Sequence, residues 1–430
     1  MADLAGLKTF TRRKERDTAL FFQGREKILN DIAHAVTDTK ENIQSGKSTT
    51  SATRLMYGAP GAGKTSLLSE IQLRAQLGAF GTLGPTVIDI DCEHLKHERH
   101  LVLIIAKHLN KEGVFRTISH EQASVGVHIL NILQGSVQKG KSQDPPEATF
   151  DQLESLYSAV RTPSPILLCV DEIQTLQPEA EAMLSRLHQG KHGLPIIPIY
   201  AGLGNSLSVL MHHGVSRPVS DYIHSVGALT EEEAHAAINM MLTHFKVDQS
   251  GADRDWPAIL AQRADCWPQH LHNAQRALAL ELIRPEVKGV LARVNPEAVF
   301  TRERRLRMQA YGWRMSEMIS DHRELTARVM QRVVTYNPTR SEVKQIIAAL
   351  HKRNSYPLPE EVTVDSFFNE LLHQGLLQEF HEERANGTVT DVLRCPIPSL
   401  ATFIMERGGV DPLLSPPERA TESPKIKGRA

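Results

Sequence analysis

Through its first half the chain alternates short apolar runs with stretches in which apolar residues recur every three or four positions, a pattern of strands alternating with helices. Arg54–Tyr57 reads as a short strand, and Ser66–Leu77 has helical spacing at Leu67, Leu68, Ile71 and Ala75. Pro85–Asp91 is a second strand, and helical patterns cover about 98–111, 119–138 and 150–160. Ile166–Val170 is a continuous apolar run, as expected of a central parallel strand buried on both faces. A helix over 174–187, a strand over 194–200 and a short strand over 222–226 follow. The strand over 194–200 carries Pro195 and Pro198, which are unusual in a central strand.

Beyond residue 229 the pattern turns helical. Thr230 and Glu233 form a capping-box pattern that opens Ala234–Phe245. Phe300–Met315 is a further helix, followed by helical patterns over about 316–334, 340–353 and 365–374. A polar turn at Arg384–Gly387 separates 375–380 from 388–395 and predicts a hairpin, with Pro398–Arg407 as a closing helix. At the other end, residues 1–20 are charged and expected to be poorly ordered, ahead of a helix from Glu26 to Thr37. Lys40–Ser51 and Lys139–Glu147 read as loops, and Gly408–Ala430 as a disordered tail.

Composition narrows the classes. A chain of 430 residues corresponds to two or three domains, and 41% hydrophobic content supports well-formed cores. No apolar run approaches the ~20 residues of a membrane span, and Met1–Lys8 has no long hydrophobic region of a signal peptide. Cys92, Cys169, Cys266 and Cys395 lie far apart, which fits free thiols in a reducing cytoplasm. With a net charge of −1 the chain as a whole does not announce a nucleic-acid binder. His94, His97 and His100 recur near Cys92, but the spacing equally suits one solvated helix face.

The chemistry lies in Gly58, Ala59, Pro60, Gly61, Ala62, Gly63, Lys64 and Thr65, a complete G-x-x-x-x-G-K-[ST] phosphate loop between a strand and a helix, with Ser66 next at the helix start. Glycines allow the backbone conformations needed to wrap a phosphate. Lys64 supplies charge for the outer phosphates, the Thr65 hydroxyl can ligate Mg²⁺, and the helix adds its positive N-terminal end. Asp171 and Glu172 end the apolar strand at the edge where such sheets bind ligands.

Phe22-Gln-Gly24-Arg25-Glu26 resembles the F-x-G-R-E element that precedes the phosphate loop in AAA+ ATPases of the origin-initiator and STAND-like groups, where it packs beside the adenine. The resemblance implies an α/β P-loop NTPase parallel sheet with a helical lid, then an α+β winged-helix domain. It implies ATP and Mg²⁺ as cofactors, Asp171 in the metal shell and Glu172 orienting the attacking water. Asn205 would sense the γ-phosphate, though a loop asparagine also suits turn geometry. Arg217 would act as an arginine finger on a neighbouring subunit in a homo-oligomer, against a plain surface arginine. Cys266-Trp-Pro-Gln269-His270-Leu resembles the lid turn "G-x-P-R-x-L", and here Gln269 or His270 stands where the family commonly has an arginine. That departure implies slow or partner-stimulated hydrolysis.

The implied domains are an extension (1–20), a nucleotide-binding domain (21–228), a lid (229–299), a basic linker helix (300–315), a winged helix (316–407) and the tail (408–430). Over 301–353 there are 12 Lys and Arg against five Asp and Glu, which suits either DNA or a solvated linker helix. Over 360–394 eight acidic residues face two basic ones, which disfavours groove reading by the third helix and the wing and suits a protein effector at least as well. Two roles follow: an ATP-dependent switch acting on DNA or a DNA-bound complex, or a STAND-like signalling or defence ATPase.

Overall fold

The computed structural model describes residues 2–12, 21–47, 52–81, 84–95, 97–117, 149–160, 162–189, 193–212, 220–318, 323–352, 362–383, 389–397 and 400. They fall into two units, one of 13–237 and one of 1–12 with 238–430. The patterns expected over 119–138, 139–147, 398–407 (residue 400 apart) and 408–430, the polar turn at Arg384–Gly387, and Arg217 lie outside the described residues.

The first unit is built on five parallel strands: β1 (Arg54–Tyr57), β2 (Thr86–Asp91), β3 (Ile166–Asp171), β4 (Ile196–Gly202) and β5 (Ile223–Ser225). Their order is β2-β3-β4-β1-β5. β4 therefore lies between the strand that opens the phosphate loop and the strand that ends in Asp171. β3 up to Val170 and the whole of β4 are apolar and buried, because helices cover a parallel sheet on both faces. Pro198 is tolerated inside β4 because β1 pairing begins only at Ile199, so β4 has one paired neighbour at the proline.

The helices of this unit are α2 (Glu26–Gln44), α3 (Lys64–Gln76), α4 (Glu98–Lys111), α5 (Phe150–Ser158), α6 (Glu181–His188) and α7 (Ser206–His212). α2 continues beyond the expected end at Thr37 and takes in part of the expected polar loop, because Thr39 is buried and Lys40 Nζ donates to the Phe80 carbonyl. The helix expected over 174–187 is shorter. Residues 173–175 and 178–180 form 3₁₀ turns and the α-helix starts at Glu181, since Glu172 takes a left-handed backbone and Pro178 interrupts the ladder.

α2 is tied to the sheet by charge. Asp31 accepts from Arg54 Nη2 on β1 at 3.2 Å and lies 2.9 Å from His224 Nε2 on β5. Burial alone would raise the Asp31 pKa, but the His224 hydrogen bond and the Arg54 charge outweigh it and hold the carboxyl below its usual range. The stabilisation is therefore complete above the unfolded carboxylate pKa of about 4 and disappears as pH falls through the lower folded value. Asp31→Asn should cost about 2 kcal/mol at pH 7, because it strips the carboxylate from two buried partners. Urea unfolding at pH 7 and at pH 3 tests this: the gap between wild type and variant should narrow at the lower pH, and a constant gap would exclude the linkage.

The second unit contains α8 from Ile238 onward (the helix spans Glu231–His244), α9 (Trp256–Arg263), α10 (Pro268–Leu282) and α11 (Pro296–Met318). It continues with α12 (Arg323–Tyr336), α13 (Arg340–Lys352), α14 (Val364–His373) and the antiparallel hairpin of β6 (Gln378–Glu383) and β7 (Val389–Arg394). The expectation of poor order over 1–20 is corrected within residues 2–12, while 13–20 lie outside the described residues. Leu4–Phe10 is a helix, α1, capped by Asp3, whose carboxylate accepts from Gly6 N at 2.8 Å. α1 packs on α10 through buried Leu7 and Phe10; Phe10 meets the rings of His272 and Phe245, and Asp3 N donates to the Phe245 carbonyl at 2.8 Å. Two buried apolar side chains at roughly 1.5–3 kcal/mol each are enough to hold so short a helix against a preformed surface.

Candidate functional site

The phosphate loop leaves β1 at Gly58 and enters α3 at Lys64. Gly58 lies so close to β5 that a Cβ would sit 2.0 Å from the Val226 carbonyl oxygen. Gly61 and Gly63 have φ of 81° and 92°, which turns the chain into a cradle. Gly63 is the N-cap of α3, and no side chain caps the helix. The helix thus opens with a positive end toward the loop, a setting that fits a phosphate. Lys64 is buried, and its Nζ donates to Gly58 O at 2.8 Å and Ala59 O at 3.1 Å, across the loop it closes.

The metal-type residues converge. Thr65 Oγ1 donates to Asp171 Oδ2 at 2.7 Å, so the first turn of α3 meets the end of β3. Asp91 lies beside Asp171 in the β2–β3 register. Asp89, one strand over, is held above the usual carboxylate range by burial and then by the charges of Asp171 and Asp91. A hydroxyl and a carboxylate in contact at an acidic sheet edge fit Mg²⁺, which takes few protein ligands and completes its shell with phosphate and water. Among the described residues no group of three His, Cys, Asp or Glu side chains could itself enclose a metal, His97 and His100 included.

Glu172 has φ 55°, a left-handed conformation in a residue other than glycine. Its amide donates to Asp171 Oδ1 at 2.9 Å and its carbonyl accepts from Thr175 Oγ1 at 2.8 Å. Its carboxylate accepts from Gln174 Nε2. Sequence reasoning passed over Gln174, which it had placed in the expected helix. Asn205 follows β4 in the turn that opens α7, where its carbonyl accepts from Val209 N at 3.1 Å.

The Gly24-Arg25 turn is fastened to the chain after β5. Arg25 has φ 66°, its amide donates to Glu233 Oε1 at 3.3 Å, and its guanidinium reaches the carbonyls of Gly227 and Ala228. Glu233 also completes the capping box with Thr230, accepting from Thr230 N at 2.8 Å. Gly24 has φ 79°, a left-handed conformation that favours glycine, and a Cβ there would also lie 2.2 Å from the Glu233 carboxylate.

In the second unit, His270 Nε2 is 2.8 Å from Tyr311 Oη, and both side chains are buried. His270 is thus engaged with α11 inside its own unit, while Gln269 is half-buried. Part of the basic surplus is neutralised within the same unit. Arg302 lies 3.9 Å from buried Glu281, and Arg307 donates to buried Glu303 at 2.8 Å. Arg304 and Arg305 are exposed.

The AAA ATPase domain family matches residues 22–197. The chain carries an AAA+ P-loop ATPase domain. No curated protein matches the sequence. Among solved structures, a Walker-type ATPase of Pyrococcus abyssi is 14% identical, with 85% of this chain and 94% of that one covered and a TM-score of 0.50. The Aeropyrum pernix ORC1 protein in complex with DNA is 16% identical, with 90% and 93% covered and a TM-score of 0.42. The Thermotoga maritima RuvB Holliday junction branch migration motor is 15% identical, with 89% and 95% covered and a TM-score of 0.40. At 14% identity the likeness to the Pyrococcus ATPase is one of fold, and it agrees with the five-stranded parallel sheet of the AAA+ domain here. No described helix is long and apolar enough to cross a membrane.

Proposed function

We propose that this chain is a Mg²⁺-dependent, ATP-hydrolysing AAA+ switch of the origin-initiator type. The observation that carries the reading is the 2.7 Å contact between Thr65 and Asp171, which puts the end of the phosphate loop against the acidic end of β3. Thr65 and Asp171 would hold Mg²⁺, which when bound neutralises phosphate charge. Gly58–Ser66 would wrap the phosphates, with Lys64 exchanging its two loop carbonyls for phosphate oxygens. Glu172 would orient the attacking water, and Asn205, in the turn after the adjacent strand, would read the γ-phosphate. Phosphoryl transfer needs chiefly positioning and charge, which these residues would supply. Arg217 is assigned to a neighbouring copy's nucleotide in a homo-oligomer. With His270 turned into its own unit's core, the lid turn offers no cation from that position, which supports slow or partner-stimulated turnover. Mg²⁺-dependent release of phosphate from ATP by the purified chain tests the reading; ATP binding without turnover would reduce it to a nucleotide-binding scaffold.

The output would be a change in what the C-terminal region can touch. Its three helices and hairpin, α12 to β7, are read as a winged helix. Exposed Arg304 and Arg305 favour action on DNA or a DNA-bound complex. The second reading, a STAND-like signalling or defence ATPase with a protein effector, draws on how the winged helix uses its own cations: Lys344 pairs with Asp365 at 2.6 Å and Arg340 with Glu379 at 2.9 Å. The two readings differ in salt response. If about four arginines meet DNA phosphates, affinity should fall about 10²-fold between about 50 and 200 mM salt. Fluorescence anisotropy with duplex DNA and ATP reads this directly. An affinity insensitive to salt would exclude the DNA role and leave the protein effector. The cytoplasm is the proposed location, on the strength of four free thiols, three of them buried.

A further inference from the structure

One buried amide joins two parts of the site. Gln174 lies in the 3₁₀ turn after Glu172, and its side chain has a partner at each end. Its Nε2 donates to Glu172 Oε2, and its Oε1 accepts from the backbone amide of Leu203 at 3.0 Å. The partners belong to the ends of adjacent strands, β3 and β4.

The surroundings leave the amide little room. Gly202 ends β4, and a Cβ there would lie 2.6 Å from Gln174 Oε1 and 2.2 Å from Ser206 Oγ. The Gly202 carbonyl in turn accepts from the amide of Gly58, the first residue of the phosphate loop, at 3.1 Å. Asn205 is two residues beyond Leu203. The backbone of Glu172 is already fixed by Asp171 Oδ1 and by Thr175, so what remains adjustable is its side chain. Gln174 holds that side chain.

We infer that Gln174 is a positioning residue: it sets the Glu172 carboxylate and couples it to the 203–205 turn. This rests on the reading of Glu172 as the group that orients the attacking water. A carboxylate that must place a water in line tolerates little error, since about 1 Å of misplacement costs about 10²-fold in rate. Movement of the 203–205 turn when Asn205 meets a phosphate would reach Glu172 through the Leu203 amide and Gln174. Turnover would then depend on the state of that turn.

Two variants separate this from a packing role. Gln174→Met keeps the volume against Gly202 and loses both hydrogen bonds. Gln174→Glu keeps the acceptor for Leu203 but faces Glu172 with a second carboxylate in place of a donor. In the full-length chain, both should lower kcat at least about tenfold, while the Kd for a fluorescent ATP analogue stays within about threefold of wild type. In the Glu172→Gln background, adding Gln174→Met should change the residual rate less than about twofold, because a residue acting through Glu172 has nothing left to position. Wild-type kcat in Gln174→Glu would overturn the inference, as would parallel loss of ATP affinity and kcat in both variants, or multiplying effects in the double variant. If the wild type binds ATP and releases no phosphate, the reading of Glu172 itself falls, and the inference with it. The two failures are distinguished by wild-type turnover.

Discussion

Lys64→Ala should weaken ATP binding severely. The ammonium is buried at the mouth of α3 and donates to Gly58 O and Ala59 O. No other cationic side chain lies in Gly58–Ser66. A unit charge about 4 Å from a phosphate oxygen is worth about 4 kcal/mol at the effective dielectric of a partly covered site. Even if half of that is lost to desolvation, affinity should fall at least about 30-fold, and about 10²-fold or more if most of it survives. Titration with a fluorescent ATP analogue reads the change. A thermal melt of the nucleotide-free variant separates loss of binding from collapse of the loop, since the lysine also ties the loop together. Unchanged affinity in a folded variant would remove Lys64 from the phosphate site.

Glu172→Gln should have the opposite profile: ATP held, turnover lost. The substitution keeps the side chain's shape and its capacity to accept from Gln174, and it removes the negative charge that would polarise the attacking water. ATP affinity should stay within about threefold of wild type, while kcat falls about 10²-fold or more, a barrier increase of at least about 2.7 kcal/mol. Single-turnover phosphate release separates chemistry from product release. A variant that turned over ATP like the wild type would show that Glu172 does not orient the water. The same protein, held in its ATP state, suits light scattering with and without Mg-ATP and DNA. Growth in mass with ATP would support a homo-oligomer in which Arg217 acts between subunits, and a further gain with DNA would support the DNA role. A monomer that ignores both would favour the protein effector.

What the sequence determined alone is what neighbouring residues determine together. The phosphate loop is legible because strand, glycines, lysine and helix start follow one another without a gap, each constraining the next. β3 is legible because burial on both faces demands an unbroken apolar run, and its end is marked by Asp171 and Glu172. The parallel α/β class followed from the same alternation.

Only the tertiary structure decided the rest. The contact of Thr65 with Asp171 joins residues 106 apart, and it depends on a strand order that no local pattern contains. Leu4–Phe10 is too short to read as a stable helix in isolation; the surface of α10 supplies the burial that makes it one. His270 turned inward because a tyrosine 41 residues later lies beside it. Gln174 looked like the start of a helix until the left-handed turn at Glu172 and the amide of Leu203, 29 residues on, gave its side chain two fixed partners. Hydrogen bonds of this kind depend on which groups the fold brings within 3 Å, and sequence proximity carries no record of that.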